Sequence, residues 1–285
     1  MTVEAKSKIR IEIVIPVLMP SPFLDPMRRK MREIGETCRV NFVLDFSSGM
    51  INLKNEKITE IFPNERFFCG SFGSPGRARN RAIEECEGNY VCFWDVDDEP
   101  VPKELLDFVE ILELSEASLG IASWSLVETP HKIRGTSPLS FVRSPGIWRL
   151  VFRREIVEHM RFTDLQWGED QLFIAEALSK NPKIVTGAQV IYRYNPNTTN
   201  SQTSKKHYVQ DLSEAIKYQL NYISEARGQI RNVLTLMIFK QLFTVLKFAG
   251  SQKAYQNLRT VVSSWKLNNA KIGQFPPSLI WRNRW

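Results

Sequence analysis

Cysteine is scarce in this 285-residue chain: Cys38, Cys69, Cys86 and Cys92, with no C-x-x-C spacing. That excludes a disulfide-stapled scaffold and a thiolate zinc site, and it predicts free thiols in a reducing cytoplasm. No apolar run approaches the ~18 residues of a membrane span. The N-terminal apolar run follows Glu4 and is broken at Pro16 and Pro20, so it does not read as a secretory signal. Low-complexity segments and internal repeats are also missing. With 43% hydrophobic and 24% charged residues, the balance is that of a globular protein with a sizeable core.

Acid is missing from one end. No Asp or Glu follows Glu225, whereas residues 226–285 hold ten Lys and Arg. The net charge of +7 therefore belongs to the tail, because the first 200 residues carry 25 basic and 28 acidic side chains. Such a tail suits an anionic partner, and the acidic body disfavours nucleic acid. Within 231–249, Val233, Leu234, Met237, Ile238, Leu242, Val245 and Ala249 recur at helical spacing. Leu236, Phe239, Phe243 and Phe248 widen that stripe. Packing on the body is the plainer expectation, and an interfacial helix on anionic lipid is the sharper one, which Trp281 and Trp285 also fit.

The pattern elsewhere alternates strand and helix. Ile9–Val17 reads as a buried strand ended by Pro16. A helix over 21–36, a strand at Val40–Leu44 and a short strand at Phe67–Cys69 follow. Ser74 and Pro75 are a plausible cap and first position of a helix running to about Glu87. Tyr90–Trp94 is the next strand. Farther on come a helix at Lys103–Leu114, a strand at Gly120–Val127, a loop over 128–144, and a strand at Ile147–Arg153. Asp170–Leu178 reads as a helix, Lys183–Tyr194 as a strand, and 195–206 as a polar loop. Helices then follow over 210–227, 231–249 and 252–265. This alternation predicts an α/β sheet covered on both faces.

Five features carry chemistry. Asp95, Asp97 and Asp98 cluster where a buried strand emerges, the end of an open α/β sheet at which ligands bind. A D-x-D pair there can hold Mg²⁺ or Mn²⁺ against a diphosphate. Arg77, Arg79 and Arg81 open the preceding helix and can supply donors to phosphate. Asp45 ends the second strand and can accept from a base or ribose. Trp167-Gly168-Glu169-Asp170 opens a helix and offers a carboxylate as general base. Arg193 ends a strand before the polar loop and can clamp a diphosphate. Each piece has a bland alternative as a strand-end, capping or surface residue.

In this order the pieces resemble the family 2 glycosyltransferases, an inverting group with the GT-A fold. Ile15-Pro16-Val17 matches the end of their first strand, and Leu44-Asp45-Phe46-Ser47-Ser48 loosely matches their V-D-D-G-S. Ala78-Arg79-Asn80 and the run Gly88 to Asp98 closely match their A-R-N and G-x-Y-x-x-F-x-D-x-D-D. Glu169-Asp170 matches their E-D, and W-G-E-D is similar to a motif of β-galactosyl- and hexosaminyl-transferases. Leu18-Met19-Pro20, Phe46 and the lack of a late histidine near Asn195 and Asn197 depart from the pattern.

The resemblance covers residues 9–205. It implies a Rossmann-like GT-A domain over 1–205, with a nucleotide-sugar half at 1–100, an acceptor half at 101–205, and a basic helical extension at 206–285. It implies transfer of a sugar from a nucleotide donor, UDP by default, to a hydroxyl of a glycan or lipid-linked acceptor. Asp170 would be the base and Glu169 its orienting partner. Pro16, Asp45, Arg79, Asp95 and Arg193 would hold the donor, Asp97 and Asp98 a divalent cation (Mn²⁺ or Mg²⁺), and Trp167 and Gly168 the acceptor. The expected setting is cytoplasmic, peripheral on the membrane face, in surface polysaccharide or glycolipid synthesis. The alternatives are a sugar-nucleotide nucleotidyltransferase, whose N-terminal Gly-rich loop residues 9–30 lack, and a non-catalytic basic binding module.

Overall fold

The computed structural model of the protein describes residues 10–48, 60–197 and 209–249. The expected helix 252–265, the closing tryptophans and most of the polar loop lie outside them. The described chain forms eight strands: β1 (Ile11–Leu18), β2 (Cys38–Asp45), β3 (Glu65–Gly70), β4 (Tyr90–Phe93), β5 (Glu99–Pro100), β6 (Leu119–Leu126), β7 (Leu150–Arg153) and β8 (Ile184–Tyr194). Its helices are α1 (Leu24–Met31), α2 (Pro75–Ile83), α3 (Pro102–Leu114), α4 (Pro138–Arg143), α5 (Arg154–Val157), α6 (Glu169–Ser179), α7 (Val209–Glu225) and α8 (Gly228–Ala249).

All eight strands make one sheet in the order β3-β2-β1-β4-β7-β6-β8-β5. The β3-β2-β1-β4 half is parallel, and β7 joins it antiparallel. From β1 the chain steps outward to β2 and β3, then returns to place β4 on the other side of β1. The sheet therefore reverses its winding between β1 and β4, the point where open α/β sheets take ligands beyond their strand ends.

Period-two side-chain alternation covers both faces of β1. Ile11, Ile13, Ile15 and Val17 enter a core with Met27, Met31, Leu105, Phe108 and Leu112 of α1 and α3. The residues between them face α2, whose Ala78 and Ala82 are buried. Small side chains let α3 approach: a Cβ at Gly120 would lie 2.6 Å from Leu112 Cδ1 and 2.8 Å from Phe108. Pro16 does not end β1, which continues to Leu18 paired with β2. The Val14 carbonyl accepts from Trp94 N, so the missing N–H of Pro16 falls on the β4 side, past that strand's last residue.

Two expectations change. The loop over 128–144 contains α4, whose start Ser137 caps by accepting from Ser140 N (3.3 Å). Residues 147–149 form a 3-10 turn before β7. Both are short elements whose few apolar positions cannot establish a period. All four cysteines are free. The chain divides into two compact units. Among the described residues, one unit contains the sheet, with 10–48, 60–136, 146–164 and 183–197. The other is helical and takes in 137–145, 165–182 and 209–249, hence α4, α6, α7 and α8. No described helix is long and apolar enough to cross a membrane.

Candidate active site

In the sheet unit the carboxyl ends of β1, β2 and β4 bring together Pro16, Asp45 and Asp95. Parallel register places Asp45 beside Leu18, and β4 delivers Trp94 and Asp95 just beyond Phe93. The A-R-N run of α2 then divides its labour. Ala78 packs inward. Arg79, only 4% exposed, donates from Nη2 to Asp95 Oδ1 (2.8 Å) and lies 5.3 Å from the centre of the Phe162 ring. Asn80 donates to the Phe162 carbonyl (2.8 Å) and accepts from its N–H (2.7 Å), fixing the segment that supplies that ring. Asp95 is about a third exposed. A buried cation thus orients an open carboxylate, the arrangement a ribose hydroxyl or a metal requires.

Asp45 is placed differently from the expectation of an outward base contact. Its carboxylate accepts three backbone N–H groups: Oδ1 from Ser47 (3.0 Å) and Phe72 (2.8 Å), Oδ2 from Gly73 (3.0 Å). It is 6% exposed and ties the end of β2 to the 71–73 loop. Its chemistry here is loop closure, which shapes the crevice wall.

Asp98 faces inward. It was expected beside Asp97 as a cation ligand, yet Tyr192 donates to Oδ2 (2.5 Å) and Asn195 N to Oδ1 (2.6 Å). Tyr192 also accepts from Asp95 N (3.1 Å) and stacks on Trp148 at 4.9 Å. Burial, then the neighbouring Asp95 charge, pushes the Asp98 carboxyl up to about 8, against the two hydrogen bonds that favour the anion. The folded state therefore holds this proton more tightly than the unfolded chain, so the contribution of Asp98 to the stability of the ligand-free protein is full below about pH 4 and declines as pH rises toward 8. Chemical denaturation across that window should show the decline, and Asp98→Asn should flatten it. A wild-type midpoint that rises from pH 5 to 8 while the variant's does the same would exclude it.

Asp97 lies half-buried in the turn between β4 and β5, its carbonyl near Asn195 Nδ2 (3.4 Å). Among the described residues no group of three or more metal-ligating side chains forms a protein cage. The hard oxygens of Asp95 and Asp97 still fit Mg²⁺ or Mn²⁺, which commonly keep one or two carboxylates and take their other ligands from phosphate and water. Arg193, at the end of β8, sits with Nη1 3.8 Å from Glu99 Oε2 and is half-exposed. The sequence reading passed over Tyr192. Its signal was the Tyr-x-Tyr alternation around Arg193, which places Tyr192 and Tyr194 together on the opposite strand face, both against Trp148.

In the helical unit Glu169 and Asp170 form the first turn of α6, where the helix dipole favours anions. Glu169 is 9% exposed and Asp170 half-buried, and Asp170 Oδ1 accepts from Gln171 N (2.7 Å). Trp167 is half-buried before them. Gly168 adopts φ 89° in the left-handed region and is buried against α7. Glycine takes that left-handed conformation at this turn without strain.

Residues 70–160 match the model of Glycosyl transferase family 2. Among solved structures, residues 1–349 of S. aureus TarS in complex with UDP-GlcNAc share the fold at TM-score 0.67 and 15% identity, over 93% of this chain and 82% of that one. The mannosyltransferase PcManGT from Pyrobaculum calidifontis, in complex with GDP-Man and Mn²⁺, follows at 0.57 and 14%, over 94% and 77%. Glucosyl-3-phosphoglycerate synthase from Mycobacterium tuberculosis, with Mn²⁺, UDP and phosphoglyceric acid, matches at 0.52 and 14%, over 75% and 80%. No curated protein sequence matches the chain significantly. The fold is that of the GT-A glycosyltransferases.

Proposed function

We propose that this glycosyltransferase, whose residues 70–160 carry the family 2 match, moves a sugar with inversion from a nucleotide donor to a hydroxyl of a glycan or lipid-linked acceptor. The observation that carries the reading is the pairing of nearly buried Arg79 with open Asp95 at the sheet's winding reversal. UDP is the proposed nucleotide, in keeping with the UDP complexes of the TarS fold relative.

Asp95 would bind the donor's ribose, with Pro16 and the Asp45-closed loop shaping the crevice, and Arg193 would clamp the diphosphate. Asp97, with Asp95 beside it, would hold a divalent cation, as the Mn²⁺ complexes of two fold relatives suggest. When bound, that cation offsets charge on the departing diphosphate. Asp170 takes the proton of the acceptor hydroxyl, and Glu169 orients it. The acceptor oxygen forms a bond to the anomeric carbon from the face opposite the diphosphate. The carbon–oxygen bond to the diphosphate breaks, and the nucleoside diphosphate leaves with that electron pair. The basic segment 226–285 suits an anionic membrane surface, where a lipid-linked acceptor in surface polysaccharide or glycolipid synthesis would be presented. The proposed setting is therefore the cytoplasmic face of a membrane.

Thermal unfolding against a panel of nucleoside diphosphates and nucleotide sugars, with and without Mn²⁺, tests the donor reading. A ligand at a hundredfold excess over its Kd stabilises by about 2.7 kcal/mol, a shift of several degrees. A metal-dependent shift for UDP or its sugars is expected and is lost in Asp95→Ala. No shift with any nucleotide overturns the reading.

A further inference from the structure

The first turn of α6, which carries Glu169 and Asp170, is held by two helices that the chemistry above leaves unused. Just ahead of the helix, Gln166 N donates to Asp211 Oδ2 (2.9 Å) near the start of α7. A Cβ at Gly168 would touch Leu212 Cδ1 and Ala215 Cβ of α7 at 3.4 Å. Directly after Asp170, Gln171 Oε1 accepts from Gln241 Nε2 of α8 (2.5 Å), and the same nitrogen reaches Gln219 Oε1 of α7 (3.1 Å). Lys240, next to Gln241, lies within Coulombic range of Asp170, and its Nζ donates to the Arg143 carbonyl of α4 (2.5 Å).

Gln219 and Gln241 are 1% and 3% exposed. Two of their amide atoms, Gln219 Nε2 and Gln241 Oε1, have no partner. A half-satisfied buried amide trio costs stability that leucines in the same places would not. It is therefore a poor device for merely packing a helix. What it does supply is register: its directional bonds admit one height and one rotation of α6 against α7 and α8.

We propose that α7 and α8 belong to the transfer machinery, with Asp211 and Gln241 as positioning residues that set the first turn of α6 and so aim the Asp170 carboxylate. This rests on the reading of Asp170 as general base. The basic C-terminal region then has a second role besides any anionic surface it meets: its first two helices seat the base.

The test uses the full-length chain, with UDP-glucose and UDP-N-acetylglucosamine as donors, water as acceptor and UDP release as the readout, alongside backbone hydrogen exchange. Gln241→Leu should raise exchange in 166–173 while the sheet strands stay protected. It should lower kcat about 10- to 100-fold, the cost of about an ångström of misplacement. KM for the donor should stay within about twofold. The triple variant Gln171→Leu/Gln219→Leu/Gln241→Leu replaces all three amides by apolar groups of similar shape, and it should recover the unfolding midpoint but not kcat. Unchanged exchange at 166–173, or a triple variant that recovers both midpoint and kcat, reduces the trio to packing and overturns the proposal. An Asp170→Asn variant separates the two readings. If it is inactive while Gln241→Leu is fully active, only the positioning fails. If Asp170→Asn turns over like wild type, the base assignment fails and the positioning falls with it. Release of UDP from neither donor by the wild type overturns the donor assignment and the positioning together.

Discussion

Asp170→Asn abolishes sugar transfer and leaves donor binding intact. The substitution keeps the size of the side chain and its acceptor for Gln171 N (2.7 Å), so the first turn of α6 keeps that hydrogen bond. It removes the one property the role needs, a basic oxygen for the acceptor proton. General-base assistance contributes about 10²- to 10⁴-fold, so kcat should fall by that order while the nucleotide-induced thermal shift is unchanged. The separation is sharp because the residues assigned to the donor lie in the sheet unit and Asp170 in the helical one. Glu169→Gln should lose less, since the role proposed for that side chain is only to orient its neighbour. Full turnover in Asp170→Asn would remove the assigned base, and loss of the nucleotide shift would show that the residue serves binding instead.

Glu12→Ala is the substitution expected to cost the fold most. Glu12 is fully buried at the amino end of the sheet, far along β1 from the candidate site. Its Oε1 accepts from Glu87 N (3.1 Å) and Gly88 N (3.3 Å), and its Oε2 from Asn41 Nδ2 (2.7 Å). Arg39 Nη1 lies 3.5 Å away. One carboxylate thus joins β1, β2 and the turn that leads into β4. Gly88 is required there, because a Cβ would lie 2.8 Å from Glu12 Cγ. Removing the carboxylate strands three donors and opens a cavity, for a loss of about 3–5 kcal/mol. Glu12→Gln should cost far less, because Asn41 Oδ1 has no partner and a rotated amide can accept the new N–H. Urea unfolding of the two variants checks this. A loss below about 1 kcal/mol for the alanine variant would show that water replaces the carboxylate.

The local signals in the sequence were strong where chemistry and conformation coincide. Ser74 accepts from Arg77 N (3.3 Å) and Pro75 opens α2, as capping preference requires. β1, β2 and β4 follow from unbroken β-branched and aromatic runs, and α3 from its buried positions 105, 108, 109 and 112. The parallel half of the sheet and the gathering of acids at its carboxyl ends follow from that alternation. By itself, then, the sequence determined the fold class, the resemblance and the places where Asp45, Asp95 and Asp170 leave their elements.

Only the tertiary structure decided what those residues do next. Spacing does not distinguish Asp97 from Asp98, because the choice depends on Tyr192 and Asn195, almost a hundred residues away. Asp45 likewise owes its three backbone donors to the fold: Ser47 beside it, and Phe72 and Gly73 of the 71–73 loop. Gly168 read as part of a binding motif, and its reason is a positive φ against α7. The membership of the helical unit followed the same logic: α6 shares it with α7 and α8, joined by hydrogen bonds between side-chain amides 70 and 22 positions apart. Side-chain periodicity is a local quantity and fixes which face is buried. Hydrogen-bond partners and burial of charge are set by segments distant in sequence, and these leave one strand-end acid partly exposed, make another a loop clasp and turn a third inward onto a tyrosine.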